Sequence, residues 1–267
     1  MGRISERFAA LKQRGEKALM PFLSAGDPDL AATERLVLAM AEAGADVIEI
    51  GVPFSDPLAE GPTIQRSSER GLASGATLRR ILELVSKLRP RVEVPLLLMG
   101  YANPFYAMGP EGFAQSAAEV GVDGVIVPDL PPEEGADLFD ACRAAGVDPV
   151  LLAAPTTTSE RLAMLCAETR GFLYYVSLTG VTGARAALAE GIEERVREAQ
   201  RLGPAPVCVG FGVSTPEHAA RIGAYADGVV VGSAVVERIE AAASVDEAVE
   251  SVAVFIAELK APLRPAR

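Results

Sequence analysis

The chain of 267 residues has no tryptophan, one histidine and three cysteines. Absence of tryptophan excludes nothing, because that residue is rare in any protein. The single histidine, His218, lies in a helical stretch, TPEHAARI, and reads as a surface or packing residue. With no second histidine, a histidine-based triad and a multi-histidine metal site are excluded. Cys142, Cys166 and Cys208 are odd in number, far apart and set among apolar residues, so neither a disulfide framework nor a zinc spacing is present. The net charge is −11, with no run of lysine or arginine. That balance excludes the electrostatic footprint of a nucleic-acid or anionic-membrane binder. It leaves an anionic small molecule open, because helix N-termini and backbone N–H groups hold phosphate without basic side chains. No apolar run approaches the ~18 residues of a membrane span. The opening segment, MGRISERFAALKQRGEKA, is charged and lacks an apolar signal core, so a soluble cytoplasmic protein is expected.

What the chain does have is core and turns: 49% hydrophobic residues, 25 glycines and 19 prolines, a balance that argues against disorder. After an amphipathic segment at 3–15 carrying Ile4, Phe8 and Leu11, one unit recurs. It consists of an apolar strand, a Gly/Pro/Asp-rich turn, an amphipathic helix and a glycine stop. Strands are expected at Ala18–Ser24, Asp46–Gly51, Val94–Met99, Gly124–Pro128, Pro149–Ala153, Phe172–Ser177, Pro206–Gly210 and Gly228–Gly232. They are Val, Ile and Leu runs rather than clean alternations, which signals burial on both faces. Turns of the type AGVD precede several of them, as where a helix ends and the chain re-enters a parallel sheet. The expectation is one (β/α)8 TIM barrel filling residues 1–267 as a single domain. It has an extra N-terminal helix and a short helix after strand 8. An open doubly wound sheet is the alternative, and it lacks a GxGxxG after its first strand.

In a barrel of this kind, the chemistry sits at the C-terminal strand ends and in the loops after them. The stretch Asp46–Pro62, DVIEIGVPFSDPLAEGP, stands out there. Period two puts Val47, Glu49 and Gly51 on one strand face and Ile48 and Ile50 on the other. If the isoleucines meet the helices, Glu49 points into the barrel. A structural ion pair would explain a buried acid, but no strand carries a basic residue to supply one. A poorly solvated carboxyl has a raised pKa and can pass protons in both directions near neutrality. Asp56 and Glu60 follow in a proline-stiffened loop, which makes a two-carboxylate site geometrically possible. CVGFGV after strand 7 and VGSA after strand 8 occupy the two loops that form the recurrent phosphate site of this fold. The glycine-rich segment Ser177–Gly191 fits a closing lid. Phe22, Met99, Tyr101, Ile126, Leu152, Phe172 and Tyr174 fall near upper strand ends as an apolar pocket, or simply as core.

Taken in order, PFLSAGDPD, IEIGVPFSDPLAEGPTIQRSS, GYANPF, GVDGVIVPDLPPEE, GVTGA and GFGVS resemble the tryptophan synthase alpha subunit over essentially the whole chain. The resemblance implies retro-aldol cleavage of indole-3-glycerol phosphate to indole and glyceraldehyde 3-phosphate in tryptophan biosynthesis. It implies no cofactor in this chain. Indole passes to a beta subunit, which carries pyridoxal phosphate, in an alpha2-beta2 heterotetramer. It further implies that Glu49 is the general acid-base residue. Phe22, Tyr101, Ile126, Leu152, Tyr174 and Thr182 would contact the indole and lid. Gly183, Phe211, Gly212, Gly232 and Ser233 would bind the phosphate, and the loop with Pro53, Asp56 and Pro57 would face the beta subunit.

One position departs from the family pattern: Glu60 stands where an aspartate usually accepts the indole N–H. The carboxylate is kept, but an extra methylene displaces it unless the loop adjusts. Two rival readings follow, a stand-alone lyase releasing free indole and a weakened alpha subunit acting mainly as an allosteric activator of beta.

Overall fold

The computed structural model describes residues 2–176, 191–210 and 212–265. The chain opens with helix α1, Arg3–Arg14, followed by strand β1, Ala18–Ser24, helix α2, Leu30–Ala43, and strand β2, Ile48–Gly51. Two helices then come before the next strand: α3, Pro62–Ala73, and α4, Leu78–Leu88, with β3 at Leu96–Met99. Helices α5, Ala102–Met108, and α6, Pro110–Val120, lead to β4, Gly124–Ile126; α7, Ala136–Ala145, leads to β5, Asp148–Ala153. Next are α8, Ser159–Glu168, β6, Leu173–Val176, α9, Ile192–Leu202, and β7, Val207–Gly210. The last elements are α10, Pro216–Gly223, β8, Gly228–Val231, α11, Ser233–Ala241, and α12, Val245–Lys260. All eight strands pair in parallel in chain order, and β8 closes on β1. The fold is therefore the expected (β/α)8 barrel, with α1 ahead of it and α11 directly after β8.

Two apolar layers build it. Outward-facing strand residues, Ile48 and Ile50 among them, pack under the ring of helices. Inward residues such as Met20, Val47, Leu97, Ile126, Val150 and Val230 fill the barrel together with Ile4, Phe8 and Leu11 of α1. The N-terminal helix is thus a plug in the lower mouth.

The AGVD-like turns have two separable jobs. Their glycines, Gly44, Gly121 and Gly146, take positive φ (109°, 85° and 81°) and end the preceding helices. In two of these turns the aspartate two residues on, Asp46 or Asp123, accepts the backbone N–H of Leu19 or Leu96 on the previous strand at 2.9 Å. Asp227 does the same for Val207 at 3.0 Å, and Thr169 for Leu151 at 3.1 Å. The Asp46 backbone N–H also donates to the Leu19 carbonyl at 2.9 Å, so side chain and backbone together tie the entry to β2, Ile48–Gly51, onto β1. At Pro95 and Pro206 the missing N–H delays β3 and β7 to the following residues.

The aspartates at the lower mouth are paired. Lys260 of α12, only 2% exposed, contacts Asp46 at 2.8 Å, Glu16 at 3.1 Å and the Lys17 carbonyl at 2.9 Å. Arg89 and Arg3 both reach Asp123, at 3.0 and 2.8 Å. Removing one partner of a buried pair leaves the other charge uncompensated. Lys260→Met is expected to cost about 3 kcal/mol of stability, read as a lower urea midpoint at unchanged slope; an unchanged midpoint would show that the pair is energetically idle.

Candidate active site at the upper barrel mouth

Glu49 sits inside the barrel, paired in register with Phe22 of β1 and Leu97 of β3. It is 1% exposed, and neither carboxyl oxygen has a hydrogen-bond partner among the described residues. No cation among the described residues offsets it. Burial, and after it the charge of Glu60, pushes its pKa up to about 8.

Glu60 arrives from the other side, on the loop between β2 and α3. That loop folds back over the barrel because three contacts hold it. Ser68 of α3 accepts the Phe54 N–H and donates to the Phe54 carbonyl, both at 2.9 Å. The Ala59 N–H donates to the Tyr101 hydroxyl at 2.9 Å. The Phe54 ring stacks on Tyr101 with centroids 5.3 Å apart. Gln65 then fixes the Glu60 carbonyl at 2.9 Å. The Glu60 side chain is left 8% exposed, and burial raises its pKa to about 7. Ionised together the two acids repel, so the pair sheds its protons in two separated steps.

Apolar walls surround the acids. Phe22 lies over Gly51, where a Cβ would come within 2.5 Å of the ring. Tyr174 lies likewise over Gly210, with 2.3 Å between an added Cβ and the hydroxyl oxygen. Both glycines are needed for those rings to lie flat across the mouth. Burial raises the Tyr101 and Tyr174 hydroxyl pKa values, and the charge of Glu60 adds to this in both. Ile126, Leu152 and Met99 pack in the interior cluster beside Tyr174. Phe22, Ser24, Gly51, Glu60, Ile64, Met99 and Tyr101 line a cavity of about 20 Å³, enough for a water molecule.

Gly232 and Ser233 form the opposite rim. Gly232 caps α11, whose first residue, Ser233, is exposed, and a Cβ on Gly232 would sit 3.9 Å from Phe22. Gly212 has φ +78° and open space around it. Thr182, Gly183, Phe211 and the lid segment expected at Ser177–Gly191, apart from Gly191, lie outside the described residues.

One expectation needs correction. Phe172 immediately precedes β6 at its lower end, fully buried, with its ring 6.0 Å from that of Phe8 on the plug helix; it is core and not pocket. Pro53 is buried by its own chain against Gly71, so the solvent-facing part of its loop is Ser55–Ala59, including Asp56 and Pro57. Leu58 at its tip, 83% exposed, was not singled out by the sequence reading. Nor was α3 recognised as an extra helix, although Gly61 followed by Pro62 is a helix-start signal. That helix supplies Ile64 to the pocket wall.

Comparison with known proteins agrees over the full barrel. The family model for the tryptophan synthase alpha chain matches residues 8–264. A tryptophan synthase alpha chain from Geobacter sp. (strain M21) is 55% identical over 260 residues, 97% of each chain. One from Dechloromonas aromatica (strain RCB) is 50% identical over 261 residues, again 97% of each. The crystal structure of tryptophan synthase subunit alpha from Legionella pneumophila str. Paris superposes with a TM-score of 0.89 at 35% identity, covering 98% of both chains. A structure of Mycobacterium tuberculosis tryptophan synthase gives 0.90 at 36% identity, covering 99% of both. The chain belongs to the tryptophan synthase alpha chain family.

Proposed function

We propose that Glu49 and Glu60 divide the proton chemistry of the family's reaction, the cleavage of indole-3-glycerol phosphate to indole and glyceraldehyde 3-phosphate. The observation that carries this reading is a fully buried carboxyl, without a hydrogen-bond partner among the described residues, that feels the charge of a second buried acid inside an apolar mouth. With values of about 7 and 8, Glu60 ionises before Glu49. Both carboxyls are raised into the range around neutrality, Glu49 further than Glu60, and in this reading the shared proton sits on Glu49 and the negative charge on Glu60. That is the state the reaction needs. Protonated Glu49 delivers its proton to indole C3, and the resulting carboxylate takes the proton of the glycerol hydroxyl as the carbon–carbon bond breaks. The Glu60 carboxylate accepts the indole N–H and balances the positive charge that develops on the ring.

The extra methylene of Glu60 is compatible with this role. Its loop is held on Tyr101 and Ser68 such that the longer side chain turns inward, where it is buried. Phe22, Tyr101, Ile126, Leu152 and Tyr174 give the bicyclic ring its apolar surroundings, with Thr182 from the lid segment. Gly232 and Ser233 offer the phosphate the N-terminus of α11, with Gly212 close after β7 in sequence, and the family resemblance adds Gly183 and Phe211, which lie outside the described residues. The chain itself works without a cofactor; pyridoxal phosphate belongs to the beta subunit that takes the indole. Asp56, Pro57 and the exposed Leu58 form the face offered to that subunit, with Pro53 shaping the loop from beneath. No helix among the described residues is long and apolar enough to cross a membrane, and a cytoplasmic location fits this biosynthetic role.

Two outcomes follow. Indole release should show a narrow bell in pH, rising as Glu60 ionises near 7 and falling as Glu49 ionises near 8. Glu60→Gln should remove the acidic limb and move the alkaline limb to lower pH, since the repelling charge is gone. A profile flat from pH 6 to 9, or a Glu60→Ala variant as active as the parent, would remove Glu60 from the chemistry.

Glu49→Gln should abolish indole release and make the protein more stable. A carboxyl raised in the folded state binds a proton that the unfolded state has released. The penalty therefore begins above the ordinary carboxyl pKa and is complete once pH passes about 8. The glutamine variant should match the parent in stability near pH 4.5 and exceed it by about 3 kcal/mol at neutral pH. Denaturant titrations at several pH values measure this, and a gain independent of pH would contradict it.

A further inference from the structure

Helices α3 and α11 run side by side in the same direction and in register. Thr63 meets Glu237 at 3.4 Å, and Arg66 meets Glu240 through two bonds of 2.9 and 2.8 Å. Both rungs have the same sequence offset, 174 residues, which places Glu60, just ahead of α3, level with the first turn of α11. Packed helices stand about 8–10 Å apart, the scale of a substrate with a ring at one end and a phosphate at the other. Below these rungs, Arg70 of α3 joins three elements. Its Nη1 donates to Glu240 at 2.9 Å, while Nε and Nη2 bind both oxygens of Asp27, at 2.7 and 2.8 Å. Asp27 is buried in the turn that follows β1. On the barrel side, Ile64 of α3 and Val236 of α11 close on Phe22 of β1. The surface-side arginines and the inward apolar contact thus grip the same two helices. Two-pronged guanidinium–carboxylate pairs fix orientation as well as distance, which single lysine contacts do not. The Glu240 carboxyl is held down to about 2, chiefly by its bonds to Arg66.

We propose that Arg66, Arg70 and Glu240 are positioning residues that set the spacing between the Glu60 carboxylate and the phosphate-binding start of α11. This rests on the roles given above to Glu60 and Ser233. None of the three touches substrate. They act by holding two helix N-termini, one presenting the carboxylate and one the phosphate site, at one fixed separation. The phosphate and apolar contacts survive when the clamp loosens, so the loss falls on kcat rather than KM.

The test is a double-mutant cycle on indole release with parent, Glu240→Gln, Glu60→Gln and the double variant, each with its melting temperature. Glu240→Gln is expected to lower kcat roughly tenfold with KM within about twofold. In the Glu60→Gln background the same change should cost less than about twofold, because a carboxylate no longer has to be aimed. Arg66→Lys, which keeps the charge and loses the paired geometry, should repeat the pattern. An equal loss in both backgrounds, no loss in the parent background, or a loss that follows the fraction unfolded would overturn the clamp. A Glu60→Gln variant as active as the parent would instead overturn the role of Glu60, and the clamp would fall with it.

Discussion

A buried carboxyl group with no hydrogen-bond partner among the described residues governs the chemistry of this barrel. Taking an ionised carboxylate out of water costs several kcal/mol or more, and among the described residues no cation or donor offsets it. The group answers by keeping its proton to about pH 8. The surroundings sustain that condition. Below Glu49 the interior is filled by aliphatic layers and the α1 plug, and above it Phe22, Tyr174 and the folded-back loop limit water. Every wall of the mouth therefore contributes to one electrostatic result.

The other end of the barrel is built differently. At the lower mouth the acids are satisfied: Asp46, Asp123 and Asp227 each accept a backbone N–H, and Lys260, Arg89 and Arg3 supply charge to the first two. Both ends carry buried carboxylates, but their chemistry is opposite. The lower ones are tied to backbone N–H groups and cations as part of the scaffold. Of the upper two, Glu49 has no hydrogen-bond partner among the described residues, and burial raises the pKa of both.

Much of this was legible in the sequence because it depends on local chemistry. Glycine at 44, 121 and 146 marks helix stops wherever it stands, and Val-Ile-Leu runs mark strands buried on both faces. Glu49 was readable because a period-two pattern fixes its direction and the strands offer no basic residue to pair with it. The burial of Glu60 was not readable, since it follows from contacts across sequence distance: Tyr101 on Ala59, and Ser68 on Phe54. Phe172 misled for a related reason. Its direction in the strand was right, but its height was not, and height depends on where β6 starts and on the plug helix rising to meet it. The α3–α11 register lay equally out of reach, because it joins residues 174 positions apart.

The central claim is that Glu49 is a neutral acid at physiological pH. Difference infrared spectroscopy between the parent and Glu49→Gln, followed as a pH titration, tests it without reference to turnover. A protonated-carboxyl C=O band is expected at pH 7 that is absent from the variant and disappears with a midpoint near 8. A carboxylate signal for Glu49 already complete at pH 6 would contradict it.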